Sequence, residues 1–515
     1  MKTYNQLFSL APIFQSGMVL QREKEIKIWG TALPGSLVSI TLGFQMGEAI
    51  TSENGTFLVT LQPLSAAQGL TLIAKNDRPD TRPIEMHSIS IGDVWLACGQ
   101  SNMEFFLRYD QDWKEVKKLP KNPQIHMYNV PQVAFEGHTS HNKGGYGYWL
   151  QEGDNGFDMF SAPGYSFARN LQPAIDVPIG IISCNWGGTT ASAWVPESVL
   201  EEAPLNTYLQ EYEDAIKDID PEELRTESLK AWTFEDSLQH GKDFEPLLYG
   251  RDRSWQIDYM KQHAGEPVIP MGPYNINRPS GLYYTMLQEL IPFSIKGVLW
   301  YQGESDAGNR APMYDKLLSS LILDWRKEWQ DDFPFLFVQL APFGRWLDCG
   351  NEEYTEVRAR QQLVADTVPD AYMASIMDIG SYHDIHPKAK MEVGRRLALL
   401  ARGHVYGEKD LLCDSPRLSQ ISCDDSGLLT LSFTSGEGLT IADGPSDLVC
   451  ETPDGMITPI SLSASDDKLL IQLPSQVMEQ HPVVTLSLGW GDFAQIFIRN
   501  TQGLPIAPFR TQIQL

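Results

Sequence analysis

The sequence predicts a three-layer α/β domain with a parallel sheet over about residues 89–408, flanked at both ends by β-rich material. Three observations carry this. Four short, continuous apolar runs, "SIGDVWLACG", "VPIGIISCNWGG", "IKGVLWYQGES" and "FPFLFVQLAPF", occupy the middle of the chain. Such runs suit strands buried on both faces, as in a parallel sheet. Amphipathic helical stretches lie between them, and alternating strand and helix argue for helices layered on that sheet. The two ends read differently, with period-2 alternation broken by Gly, Pro and Asn turns.

Along the chain, residues 1–88 carry "EIKIWGTA", "SLVSITLG" and "GTFLVTLQPL", and residues 409–515 repeat the style in "LLTLSFTS", "KLLIQLPS" and "VVTLSLGW". Both ends read as β-sandwich material, and packing of the two against each other is left open. In "APMYDKLLSSLILDWRKEW", Tyr314, Leu317, Leu318, Leu321 and Trp325 share a helical face. Val393, Leu397, Leu400 and Ala401 do the same after Pro387, which suits a first helical turn. Residues of about 203–272 interrupt the rhythm with an acidic, helix-prone insertion followed by Trp232, Phe234, Tyr249, Trp255 and Tyr259. It is read either as a solvated excursion or as a wall offering aromatics to a site.

The bulk numbers narrow the function. A chain of 515 residues exceeds one core, so roughly two to four domains are expected. With 40 basic and 66 acidic side chains, the net charge of −26 repels phosphate backbones and anionic lipid. Nucleic acid and membrane are therefore not expected partners, and no window approaches the apolar length of a membrane span. The start, "MKTYNQLFSLAPIFQSG", lacks an apolar stretch of signal-peptide length, which reads as cytoplasmic, although a trimmed chain would look the same. The six cysteines match neither a disulfide scaffold nor a zinc spacing, and only Cys413 with Cys423 invites a check.

The chemistry concentrates at strand ends. In "ACGQSNMEF", Ser101 follows Gly99 at the end of an apolar strand. A Ser there is either a helix cap or a nucleophile at the carboxyl edge of the sheet, where α/β ligands bind. A nucleophile needs a base and oxyanion donors. "SYHDIHPKAK" offers His386 as base and Asp384 to fix its tautomer, between a strand ending at Asp378 or Ile379 and a helix after Pro387. "NWGGTTASAW" offers the N–H groups of Gly187 and Gly188, and "WYQGESDAG" brings Gln302, Glu304 and Asp306 to the same edge. His383 with His386 is an alternative metal pair, but no third ligand motif accompanies it.

Together, "GQSNME", "WGGTTASAW", "WYQGESDA" and "DIHPKAKMEVGRRLA" resemble the four blocks of the SGNH hydrolases, in particular the sialate O-acetylesterase family and related bacterial carbohydrate acetylesterases. "MVLQREKEIKIWGTALPGSLVSI" and "GLPIAPFRT" are similar to that family's two ends. The resemblance implies a flavodoxin-like catalytic domain and a serine esterase that removes acetyl groups from a sugar without metal or cofactor. It implies Ser101 as nucleophile, His386 as base, Asp384 as its partner, and Ser101, the glycines and Gln302 as the oxyanion hole, with Glu304 beside them. Many SGNH enzymes carry the Asp three residues before the His, where His383 stands here, so Asp378 is the reserve candidate. The wider superfamily has Asn where Ser305 stands.

Two other readings compete: a non-catalytic glycan-binding protein on an esterase scaffold, and a metal-dependent hydrolase using His383 and His386. For the substrate, an O-acetylated sialic acid wants a cation, for which Arg108 and Arg278 are available. Acetylated plant-type oligosaccharides want aromatic platforms, in which the insertion is rich. The balance leans slightly to the latter.

Overall fold

The computed structural model describes residues 8–139, 146–239, 245–250, 253–347, 349–350, 353–442, 446–480 and 483–514. Its centre is a parallel array of six strands: β1 (Ile84–Gly99), β2 (Ile125–Asn129), β3 (Ile179–Asn185), β4 (Gly297–Tyr301), β5 (Phe335–Val338) and β6 (Ala371–Ala374). They lie in the order β2-β3-β1-β4-β5-β6, every neighbouring pair parallel. With Trp149–Gln151 antiparallel at the β2 edge and four amino-terminal strands joined through the first half of β1, this becomes a mixed sheet of 11 strands.

Five helices matter to the site: α1 (Ser101–Glu104), α2 (Ala162–Ile175), α3 (Tyr314–Trp329), α4 (Tyr354–Thr367) and α5 (Lys390–Leu400). Successive residues of a strand point to opposite faces. Leu96, Cys98, Val298, Trp300 and Phe337 accordingly pack with Leu317, Leu321 and Trp325 of α3 and Val357 of α4. Trp95, Ala97, Leu299, Tyr301 and Leu336 pack with Phe167 and Leu171 of α2 and Val393 and Leu397 of α5. Both faces are covered, which is why these strands show no polar alternation. Each large side chain so buried contributes about 1.5–3 kcal/mol.

At the amino-terminal end, Ala67–Asn76 pairs antiparallel with the first half of β1, and Val19–Gln21 pairs parallel with Ser90–Gly92. The expected boundary at residue 88 thus falls inside one strand. Ile28, Ile40 and Val59 join the core of the α3 face. The carboxy-terminal residues form two four-stranded antiparallel sheets around a separate core. The two β-rich ends therefore do not share a core among the described residues, because β1 commits the first to the central sheet.

Two local boundaries also differ. β6 ends at Ala374, short of Asp378, and α5 begins at Lys390 rather than at Pro387. Asp110 sets that start, its Oδ2 accepting the Met391 N–H at 3.0 Å. Cys413 and Cys423 are free thiols, and the cysteines that face each other in register are Cys98 and Cys184. The insertion is helical over Asn206–Ile216, Pro221–Gln239 and Arg253–Gln262. Among the described residues, no helix is long and apolar enough to cross a membrane.

Candidate active site

β1 must end on a glycine. At Gly99, with φ +141°, a Cβ would sit 2.2 Å from the carbonyl oxygen of Tyr301 on β4. The chain turns there, and Ser101 becomes the first residue of α1. The capping position belongs to Gln100, and no side chain caps this helix. Ser101 is therefore not a cap. Its Oγ lies 2.9 Å from His386 Nε2, and both residues are buried.

His386 is held edge-on by two rings, Tyr249 at 5.1 Å and Trp346 at 5.3 Å. Burial, then the charges of Lys388 and Lys390, hold its imidazole well below the ordinary histidine range, so the ring is neutral at pH 7. Asp384 Oδ1 accepts the His386 backbone N–H at 2.8 Å but stands 3.8 Å from Nδ1, and Oδ2 pairs with Lys388 Nζ at 3.0 Å. Nδ1 is buried and makes no hydrogen bond to Asp384, and the Leu248 backbone favours the protonated ring. The reserve candidate, Asp378, is occupied elsewhere, bound to Arg396 at 2.7 Å and to Arg499 at 2.8 Å. His383 is exposed and does not line the cavity. Among the described residues, no cluster of three ligating side chains includes His383 or His386.

The expected oxyanion set is only partly assembled. Gly187 lies against the nucleophile, with room for a Cβ only 3.2 Å from Ser101 Cβ. Its N–H, however, donates to Glu104 Oε2 at 2.9 Å and is not free for substrate. Gly188, at φ +75°, has open space where a side chain would stand. Among the described residues, the N–H groups of Ser101 and Gly188 have no protein acceptor. Gln302 is a correction. It is fully buried, its Nε2 donates to Asp306 Oδ2 at 2.6 Å and to Thr189 O at 3.1 Å, and its Oε1 accepts from Tyr314 at 2.9 Å. The Asp306 carboxylate, buried in its own right, draws those donors together with the Ala191 N–H and the Tyr208 hydroxyl.

Glu304 does line the cavity, and Asn102 ties it into a chain that the sequence reading missed. Asn102 Nδ2 donates to Glu304 Oε1 and to the Ile385 carbonyl, and its Oδ1 accepts from Lys390 Nζ. Burial raises the Glu304 carboxyl and pushes Lys390 down to about 7. Burial likewise raises Glu104, which also accepts from Gln132, to about 7. Asn102 and Glu104 stand in the quoted "GQSNME" block, so position was available as a signal. Lys390 stands in the quoted "DIHPKAKMEVGRRLA" block as well, but lysine rarely lies fully buried, so its residue type pointed away from the site.

The cavity above Ser101 has a volume of about 400 Å³. Glu235, Glu245, Leu248 and Tyr249 of the insertion line it, so the insertion is a wall of the site. Of its expected aromatics, Tyr249 alone is in the lining. Arg108 is bound by Glu245 and approaches Asp158, and neither Arg108 nor Arg278 lines the cavity.

The profile of the family "Carbohydrate esterase, sialic acid-specific acetylesterase" matches residues 91–231 and 274–402. The gap between these segments falls in the insertion. Sialate O-acetylesterases of Rattus norvegicus and Homo sapiens are each 26% identical to the chain, over 79% and 83% of it and 76% of their own lengths. The crystal structure of a carbohydrate acetylesterase from Xanthomonas citri superimposes with a TM-score of 0.73 at 26% identity, covering 98% of this chain and 99% of that one. With more than half of its residues matched by that profile, the chain belongs to the sialic acid-specific acetylesterase family of carbohydrate esterases.

Proposed function

We propose that this esterase removes O-acetyl groups from carbohydrates by a serine mechanism within a flavodoxin-like SGNH domain. The observation that carries the reading is the 2.9 Å contact between Ser101 Oγ and a neutral, buried His386 Nε2. His386 takes the Ser101 proton as Oγ attacks the acetyl carbonyl. The N–H groups of Ser101 and Gly188 receive the developing oxyanion. His386 then protonates the departing sugar oxygen, leaving acetyl-Ser101, and the same imidazole activates the water that releases acetate. Asp384 orients the imidazole through its backbone N–H and its charge.

The acyl-sugar is neutral, an acetylated plant-type oligosaccharide, in this reading. Glu104, Glu235, Glu245 and Glu304 line the cavity, and among the described residues no Lys or Arg does. A sialic acid carboxylate finds no cation among the described lining residues, since Arg108 stands outside the lining and is already held by Glu245. The relatives named sialate O-acetylesterases keep O-acetylated sialic acid in the test. Acetate release is measured on acetylated xylan, mannan and xyloglucan oligosaccharides, O-acetylated sialic acid and a chromogenic acetate, with the native chain and Ser101→Ala. Release from neutral sugars, lost in Ser101→Ala, is the expected result. Full release by Ser101→Ala would remove the mechanism, and a preference for sialate would remove the substrate class.

A further inference from the structure

Away from the cavity, His404, Cys413 and Asp414 bring an imidazole, a thiol and a carboxylate together, with one ligand atom of each within 4.8 Å of the others. His404 belongs to the helical turn Ala401–Val405 that follows α5. Cys413 and Asp414 lie in the linker that leads to strand Arg417–Cys423 of the carboxy-terminal domain. None of the three lines the active-site cavity. We infer that this triad is a zinc site that clamps the interdomain linker to the end of α5.

Two of the three distances have the dimensions of zinc-tetrahedron edges. His404 Nε2 to Cys413 Sγ is 3.5 Å, and Cys413 Sγ to Asp414 Oδ2 is 3.6 Å. Zinc bonds of about 2.3 Å to sulfur and about 2.0–2.2 Å to nitrogen and oxygen, at tetrahedral angles, put N and S about 3.5 Å apart and S and O about 3.6 Å apart. The third edge, His404 Nε2 to the Asp414 oxygens, is 2.9 and 3.0 Å because these atoms share a hydrogen bond. It opens by about 0.4 Å once a metal replaces that proton.

The surroundings fix each donor. The Tyr372 ring stacks on His404 with centroids 3.9 Å apart and planes 9° from parallel. At Gly403 a Cβ would lie 2.4 Å from Cys413 Sγ, so any side chain there would drive the thiol out of the cluster. Leu399, Leu504 and Leu411 back the cysteine on its other side. His404 and Asp414 keep side-chain exposures of 26% and 40%, which leaves water access for a fourth ligand. Thiolate with imidazole selects zinc over magnesium or calcium. On binding, Sγ–H and the imidazolium Nε2–H both give their protons to solvent and the imidazole keeps the one on Nδ1, so that Zn²⁺, thiolate and carboxylate sum to zero charge.

The test uses the full, tag-free chain, stripped of metal by a chelator and dialysed. Zinc is expected to bind at one equivalent and raise Tm. Cobalt is expected to give a thiolate-to-metal charge-transfer band that zinc abolishes. Cys413→Ser should remove the band and the Tm rise, and His404→Gln should weaken zinc binding by roughly tenfold or more. Cys349→Ser, which alters the exposed cysteine, should keep both. Acetate release shows that Cys413→Ser and His404→Gln are folded, since neither residue lines the cavity. If either variant fails to fold, Asp414→Asn is read by the same zinc titration. No stoichiometric binding, a band that survives Cys413→Ser, or a band lost in Cys349→Ser would overturn the site.

Discussion

Asp384 bonds the backbone N–H of His386 at 2.8 Å yet stays 3.8 Å from the ring nitrogen that a triad carboxylate would hold. Lys388 accounts for the difference, since its ammonium takes Oδ2 at 3.0 Å. Where a triad Asp binds the imidazole directly, Asp-to-Asn substitution costs ~10⁴ in kcat through the wrong tautomer. Here the tautomer is not set by that bond, and Asn can still accept the backbone N–H. Asp384→Asn is therefore expected to lower kcat by roughly 10–100-fold. A loss of ~10⁴ on a chromogenic acetate would mean that Asp384 turns onto Nδ1 during the reaction.

Lys388 also acts on the proton affinity of His386. The imidazole, held below its ordinary range first by burial and next by this ammonium, serves as base only when neutral. Activity therefore rises as pH climbs through its pKa. Lys388→Ala removes a repelling charge and frees the Asp384 carboxylate, and both changes favour the imidazolium. The acidic limb of the kcat/KM profile should move to higher pH, read between about pH 4.5 and 8. An unmoved limb would show that the Lys388 charge is not felt at the base.

Gln302 separates a structural from a catalytic donor. Its amide is spent on Asp306, Thr189 and Tyr314 inside the protein. Gln302→Ala leaves the buried Asp306 short of a donor, at a cost of about 1–3 kcal/mol. Turnover by the folded variant should fall less than about tenfold, where loss of an oxyanion donor costs ~10²–10³. Urea unfolding and kcat together decide this, and a hundredfold loss of kcat at unchanged stability would return Gln302 to the oxyanion hole.

What the sequence made legible follows from what determines each feature locally. Strands covered on both faces read as unbroken apolar runs, so β1, β3, β4 and β5 were visible. β2, as "QIHMYNV", mixes polar residues into a short strand near the sheet edge and was missed. Ser101 sits at a strand-exit turn and His386 in the loop between β6 and α5, where Gly and Pro mark the chain. The use of each polar group is decided by partners distant in sequence. Gly187 meets Glu104 across 83 residues, and Asn102 meets Glu304 across 202. No local pattern carries such pairings.

Asn102 is where those distant contacts converge, and its removal is expected to be the costliest of these changes. Its amide satisfies the Glu304 carboxylate, the Lys390 ammonium and the Ile385 carbonyl at once. Lys390 is fully buried and cannot turn to water for a substitute, while Glu304 is half-buried and meets water only through the cavity. Asn102→Ala should cost about 2–4 kcal/mol, the range for stripping partners from buried polar and charged groups. Ile385 immediately precedes His386, so loosening its carbonyl displaces the base, and kcat should fall while KM changes little. Adding Glu304→Gln to Asn102→Ala replaces the stranded carboxylate by a neutral amide, which costs less to bury unpaired. The double variant should regain part of the lost stability without regaining kcat. Equal stability of the native chain and Asn102→Ala in urea would show that the three groups find other partners, and the chain from Lys390 to Glu304 would then hold nothing in place.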